Sequence, residues 1–121
     1  PDELLPEVVV SEESVPPTLN DKALAERVMA SWEAHFGDGV LVSGERLGMG
    51  AEDFPIFTID PYIPSLYFAV GGTAPEDFAR ERAGGPPVPS HHSPLFKIEP
   101  DASVALGVEA SVTALLYLLG S

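Results

Sequence analysis

Apolar positions along the chain come in short bursts closed by Pro or Gly, and few stretches sustain a helical period. Leu24, Val28, Trp32 and Phe36 recur every fourth residue, and Ala25 and Met29 widen the stripe. This spacing predicts an amphipathic helix, capped at Asn20 or Asp21 and ending near Phe36, with Gly37 as a left-handed closing residue. Pro75-Glu76-Asp77 makes a good first turn for a short second helix that ends near Ala83-Gly84-Gly85. Pro100-Asp101 opens a third, from about 101 to 119. It is apolar nearly all round, which predicts burial against a sheet or a larger body.

Other bursts read as strands. Val8-Val9-Val10 is β-branched and lies between Pro6 and Pro16-Pro17, which confines it to a sheet edge. Val40-Leu41-Val42 is bounded by Gly39 and Gly44. Ser65 to Val70 is almost continuously apolar, which predicts a strand buried on both faces. Gly48-Met49-Gly50-Ala51-Glu52-Asp53-Phe54 reads as a loop entering a helix N-terminus, with Pro55 tolerated in the first turn and Pro61 and Pro64 ending the stretch. Leu95 to Ile98 is a brief extended piece. The sum is an α/β fold with long, Pro-rich connections.

Composition narrows the function classes. The chain has 121 residues, with 6 Lys+Arg against 19 Asp+Glu and a formal net charge of −13. That length suits one domain of ~100–150 residues. The charge excludes sequence-independent binding to phosphate backbones and argues against anionic lipid. With 45% hydrophobic residues the chain is not intrinsically disordered. No cysteine is present, so there is no thiolate nucleophile, and a metal must be held by His, Asp or Glu. The most apolar run, Ala105 to Leu119, is interrupted by Glu109 and falls short of the ~20 residues of a spanning helix. The chain starts at Pro1 without Met or a signal-like segment, which points to a processed or cropped chain and, by default, to the cytoplasm.

Two places carry candidate chemistry. His91-His92 sits in a Pro-flanked loop, and imidazole is a common zinc ligand. Adjacent histidines point in different directions, so one at most reaches a given ion; the plainer alternative is a pair of solvated loop histidines. Glu52-Asp53 follows a Gly-rich turn. Paired acids do acid/base work or bind cations, and a Gly-rich turn offers N–H groups to an anion; the plainer alternative is simple helix N-terminal capping. His35, on the flank of the first helix, reads as structural or exposed. No Gly-x-Ser-x-Gly elbow supports a serine triad.

Read in order, four segments resemble the C-terminal portion of one family. They are Pro16-Pro17-Thr18-Leu19-Asn20-Asp21, Gly48-Met49-Gly50-Ala51-Glu52-Asp53-Phe54, Leu66-Tyr67-Phe68-Ala69-Val70-Gly71 and His91-His92-Ser93-Pro94-Leu95-Phe96. The family is that of the metal-dependent amidohydrolases related to aminoacylase, hippurate hydrolase and the auxin-conjugate hydrolases. The resemblance implies an α/β zinc-peptidase-like catalytic domain, a mixed sheet with flanking helices, of which residues 18–121 are the C-terminal part. Residues 1–17 would be the last strand of an inserted lid and dimerisation domain. It implies a parent homodimer that hydrolyses the amide of an N-acyl amino acid or small peptide through water activated by a divalent metal, zinc or alternatively manganese, nickel or cobalt. His92, two before Pro94, matches the family's metal-ligating histidine. His91 would be its neighbour, and Gly50, Glu52 and Asp53 would line the substrate pocket. The family's other ligands and its general-base glutamate have no counterpart here, so this chain alone is expected to be inactive and metal-free, with exposed apolar surface. The rival expectation is a non-catalytic, acidic α/β interaction module using the Val8–Val10 edge and the last helix.

Overall fold

The computed structural model describes residues 4–42 and 52–120. Three α-helices organise it, α1 (Lys22–Phe36), α2 (Pro75–Arg82) and α3 (Pro100–Leu119), with a 3-10 turn at Phe54–Phe57. The helix starts and stops follow the expected chemistry. Asp21 is extended and its Oδ1 accepts the Leu24 N–H at 2.8 Å, satisfying one of the donors that a first turn leaves open. Gly37 closes α1 at φ 89°, and its N–H donates to the Glu33 carbonyl. Pro opens both α2 and α3, where its missing N–H costs nothing.

The expected mixed sheet is absent: among the described residues there is no strand, and one isolated bridge joins Ile59 to Tyr62. The physical reason is a lack of neighbours for the strand-like runs. A ladder needs a second backbone ~4.8 Å away along several residues. Val8, Val9 and Val10 are 81%, 79% and 85% exposed, so the expected lid strand in residues 1–17 does not form over its described part. Ser65–Val70 is extended, but a side chain takes the place of a partner strand. Asn20 Nδ2 donates to the Tyr67 carbonyl at 2.9 Å and Asn20 Oδ1 accepts the Tyr67 N–H at 2.7 Å. One residue on, the Asp21 N–H donates to the Ser65 carbonyl. This short clasp fixes the segment beside α1 without building a sheet. Nor is the segment buried on both faces, since Phe68 and Ala69 are exposed. The α/β class predicted from the apolar runs is therefore replaced by a helical one.

The core is small and lies where α1 meets α3. Leu24, Val28, Trp32 and Ala110 are buried, with Phe36, Val40, Leu41, Leu66 and Ala114 packed against them. Trp32 joins the helices directly, because its Nε1–H donates to the Ala110 carbonyl at 2.8 Å and its ring leans on Phe68 at 4.8 Å between centroids. Beside this joint, His35 Nε2 lies 2.8 Å from Glu109 Oε1. Gly72 lets two segments touch: a Cβ there would lie 2.8 Å from Ile98 Cγ2, and its carbonyl accepts the Glu99 N–H at 2.8 Å. That contact fixes where α3 begins.

The last helix also departs from expectation. It starts at Pro100, not beyond it, and with 20 residues is long and apolar enough, by length and composition, to cross a membrane. Only Ala110 on it is buried. The all-round burial predicted for it does not occur; one face meets α1 and the other stays open.

Candidate functional site

The Glu52 carboxylate is half-buried and doubly engaged. Its Oε1 accepts the Asp53 N–H at 2.8 Å, and its Oε2 accepts the Tyr67 hydroxyl proton at 3.1 Å. The Phe54 ring packs on Tyr67, centroids 5.4 Å apart. Glu52 thus joins the acidic segment to the extended 65–70 segment, and Tyr67, bracketed by Asn20 on its backbone, carries the joint. Asp53 is exposed and precedes the 3-10 turn at Phe54–Phe57, making no side-chain capping bond. The helix expected after Glu52-Asp53 is this single 3-10 turn. Gly50 and the glycine-rich turn before Ala51 lie outside the described residues.

His91 and His92 ride on an exposed double turn. The Ser93 N–H donates to the Ser90 carbonyl, the Phe96 N–H donates to the Ser93 carbonyl, and Ser93 Oγ accepts the Leu95 N–H. Pro94 sits inside that turn. The two imidazoles are solvent-exposed and lie side by side, ring centroids 4.4 Å apart. No hydrogen bond or ring contact links them to Glu52 or Asp53 among the described residues.

A catalytic zinc needs three protein ligands and an open position. Among the described residues no group of three His, Cys, Asp or Glu side chains gathers to hold an ion. The described donors by themselves do not form a metal centre. The expected site is therefore two separate pairs, an acidic pair tied to Tyr67 and a histidine pair on a turn.

A groove of about 310 Å³ runs between the 40–42 and 66–71 segments, floored by Trp32, Leu106 and Ala110. Among the described residues no carboxylate, imidazole or cationic side chain lines it, so those residues give it no acid/base chemistry.

One further pair ties loop to helix. The Tyr62 hydroxyl donates to Asp21 Oδ2 at 2.7 Å. That hydrogen bond, followed by the one from the Leu24 N–H, holds the Asp21 carboxyl below its ordinary range, and the same bond raises the Tyr62 hydroxyl above its own. Tyr67 lies in one of the four segments quoted above with no role of its own assigned, and Tyr62 in none of them. Each is an aromatic in an apolar setting, and only the fold shows which carboxylate its hydroxyl meets. No known protein family, curated protein or solved structure matches the chain.

Proposed function

We propose that this chain is the C-terminal part of a metal-dependent amidohydrolase acting on N-acyl amino acids or small peptides, and that it is inactive by itself. The supporting observation is the open groove between 40–42 and 66–71. Among the described residues the Leu66, Phe68 and Val70 backbone groups beside it make no hydrogen bond. An extended segment with free backbone donors and acceptors is an open edge that a further strand can pair with, and the rest of an enzyme would supply one. The class of enzyme rests on the four segments quoted above, two of which meet through Glu52 and Tyr67. In this reading His92 is the one donor that the chain gives to a metal held mainly by residues elsewhere, while Gly50, Glu52 and Asp53 shape the substrate pocket.

Calorimetric titration of the 121-residue chain with zinc tests the first half. The expected result is no tight stoichiometric binding. Tight binding lost in His92→Ala overturns the reading that the site is incomplete. In a longer chain carrying the upstream sequence, His92→Ala is expected to lower metal content and amide hydrolysis together, and full activity in that variant removes His92 from the site. A second reading, a non-catalytic interaction module, is favoured by the exposed Val8–Val10 run. An upstream frame with a His-x-Asp motif and a Glu-Glu pair decides for the hydrolase.

A further inference from the structure

The turn that follows α1 exposes a reactive pair of residues. Asp38 and Gly39 form it, and both are open to solvent. Among the described residues the Asp38 carboxylate has no hydrogen bond or ion pair, and the Gly39 N–H has no acceptor. Gly39 is left-handed at φ 89°, and a Cβ built on it would meet no atom within 4 Å. The Gly39 nitrogen is therefore screened neither by a side chain of its own nor by a neighbour. The other described aspartates are each held back. The two Asp21 oxygens accept the Leu24 N–H and the Tyr62 hydroxyl. Asp53 precedes the bulky Phe54. Asp60 precedes Pro61, which has no N–H to lose. Asp77, ion-paired with Arg80, and Asp101 both lie in helical first turns, where the backbone turns the next nitrogen away from the carboxyl.

We propose that Asp38–Gly39 is a site of spontaneous isoaspartate formation, by which the connection from α1 to the core is altered as the protein ages. The Gly39 nitrogen attacks Asp38 Cγ. A C–N bond forms, the C–OH bond of the protonated carboxyl breaks, and the hydroxyl leaves with the amide proton as water. The product is a five-membered succinimide. Water then opens the ring. Attack at the former side-chain carbonyl restores aspartate. Attack at the main-chain carbonyl breaks its bond to the Gly39 nitrogen, which stays on Cγ, and the chain now runs through the Asp38 side chain. That adds one carbon to the backbone just before Val40 and Leu41, which pack against the core around Trp32. In a close-packed and small core such a displacement costs stability. The inference does not rest on the hydrolase reading.

Incubation of the full 121-residue chain at mildly acidic pH, followed by mass spectrometry, is the test. The intact mass is expected to fall by one water and to return when the pH is raised. The tryptic peptide Val28–Arg46 holds Asp38 as its one aspartate. It is expected to split into two species of equal mass, the new one resistant to a protease that cuts before aspartate. Asp38→Glu, which would have to close a larger ring, should slow the change at least tenfold. Asp38→Asn should reach the same succinimide faster, with ammonia as the leaving group. Neither substitution touches a partner, so both variants should fold as the parent does. The folded chain should react less than tenfold slower than the chain in urea, because the turn leaves the pair free. The aged fraction should unfold at lower urea than the fresh one, and aged Asp38→Glu should not. A peptide that stays single while the Asp38→Asn variant converts, earlier modification at Asp21 or Asp53, protection of more than tenfold by folding, or an aged fraction with an unchanged urea midpoint would each overturn the proposal.

Discussion

Trp32 is the residue on which the tertiary structure depends most, and replacing it separates two contributions. The residue is 6% exposed, and among the described residues the core holds three other buried side chains, Leu24, Val28 and Ala110. Trp32→Phe keeps an aromatic ring near Phe68 and removes the indole N–H donated to the Ala110 carbonyl. That carbonyl sits within α3 and keeps its own helical bond, so the loss is that of an ordinary hydrogen bond, ~1 kcal/mol, plus a small gap where the indole was larger. Trp32→Ala removes the ring as well, and burial loss plus cavity brings the cost to ~3–5 kcal/mol. Domains have ~5–15 kcal/mol in total, and so small a core belongs at the lower end. The alanine variant should therefore separate α1 from α3, while the phenylalanine variant stays folded. Urea titration followed by circular dichroism at the helical band reads both, because it does not depend on tryptophan fluorescence. With a slope of ~1 kcal/mol/M for a small domain, the midpoint should fall by about 1 M for phenylalanine and by about 3 M or more for alanine. An alanine variant with a midpoint within about 0.5 M of the parent refutes the assignment of the core to the α1–α3 joint.

The Asp21–Tyr62 pair predicts the pH limits of stability. The Asp21 carboxyl is held below its ordinary value of 3.8, so its contribution is present above that value and is lost as pH falls through the folded one. The Tyr62 hydroxyl is held above its ordinary 10.0, so its contribution is present below that value and is lost as pH rises through the folded one. Thermal melts of Tyr62→Phe should show a weaker alkaline loss and a shallower acid loss than the parent; an unchanged alkaline limb would show that another group carries it. Asn20→Ala should cost about 1–2 kcal/mol by removing two hydrogen bonds to Tyr67, with loss of amide-exchange protection at the Tyr67 N–H. Asn20→Asp should do no better, since it turns a carboxylate oxygen toward the Tyr67 carbonyl, and full protection in either variant would remove the clasp from the account.

What the sequence made legible divides by the range of the interaction. The helices are local statements. Asp21 as cap, Gly37 as closing residue and the four-residue spacing of Leu24, Val28 and Trp32 all act within a turn or two, and α1, α2 and α3 fall within a residue or two of expectation. The strands are not local statements. An apolar run such as Ser65–Val70 records a tendency to be extended and covered, but whether it becomes a strand depends on a second backbone, and here Asn20 takes the position of that backbone with a side-chain amide. Val8–Val10 shows the same failure in a simpler form: β-branched residues favour a pleated surface, yet between prolines and with no partner strand among the described residues they remain exposed. The same limit applies to α3, because mean apolarity cannot tell a helix covered all round from one covered on one side.

The candidate site follows the same division. Sequence order placed Glu52 beside Asp53 and His91 beside His92, and adjacency along the chain made each pair look like a unit of chemistry. In the fold each pair is indeed together, but the partner that matters to Glu52 is Tyr67, fifteen residues away, and among the described residues no further metal-ligating side chains gather at the two histidines. A half-buried carboxylate that accepts a backbone N–H on one oxygen and a phenol O–H on the other is held at both oxygens, so it is better suited to holding two segments in register than to taking a proton from a substrate. The exposed imidazoles have the opposite character: accessible donors on a turn fixed by Ser90 and Ser93. A rigid turn that offers two imidazoles and no third ligand can complete a site but cannot make one. That asymmetry makes the titration of His92→Ala informative in a longer chain, where metal content reports what the turn adds, and uninformative about catalysis in this one.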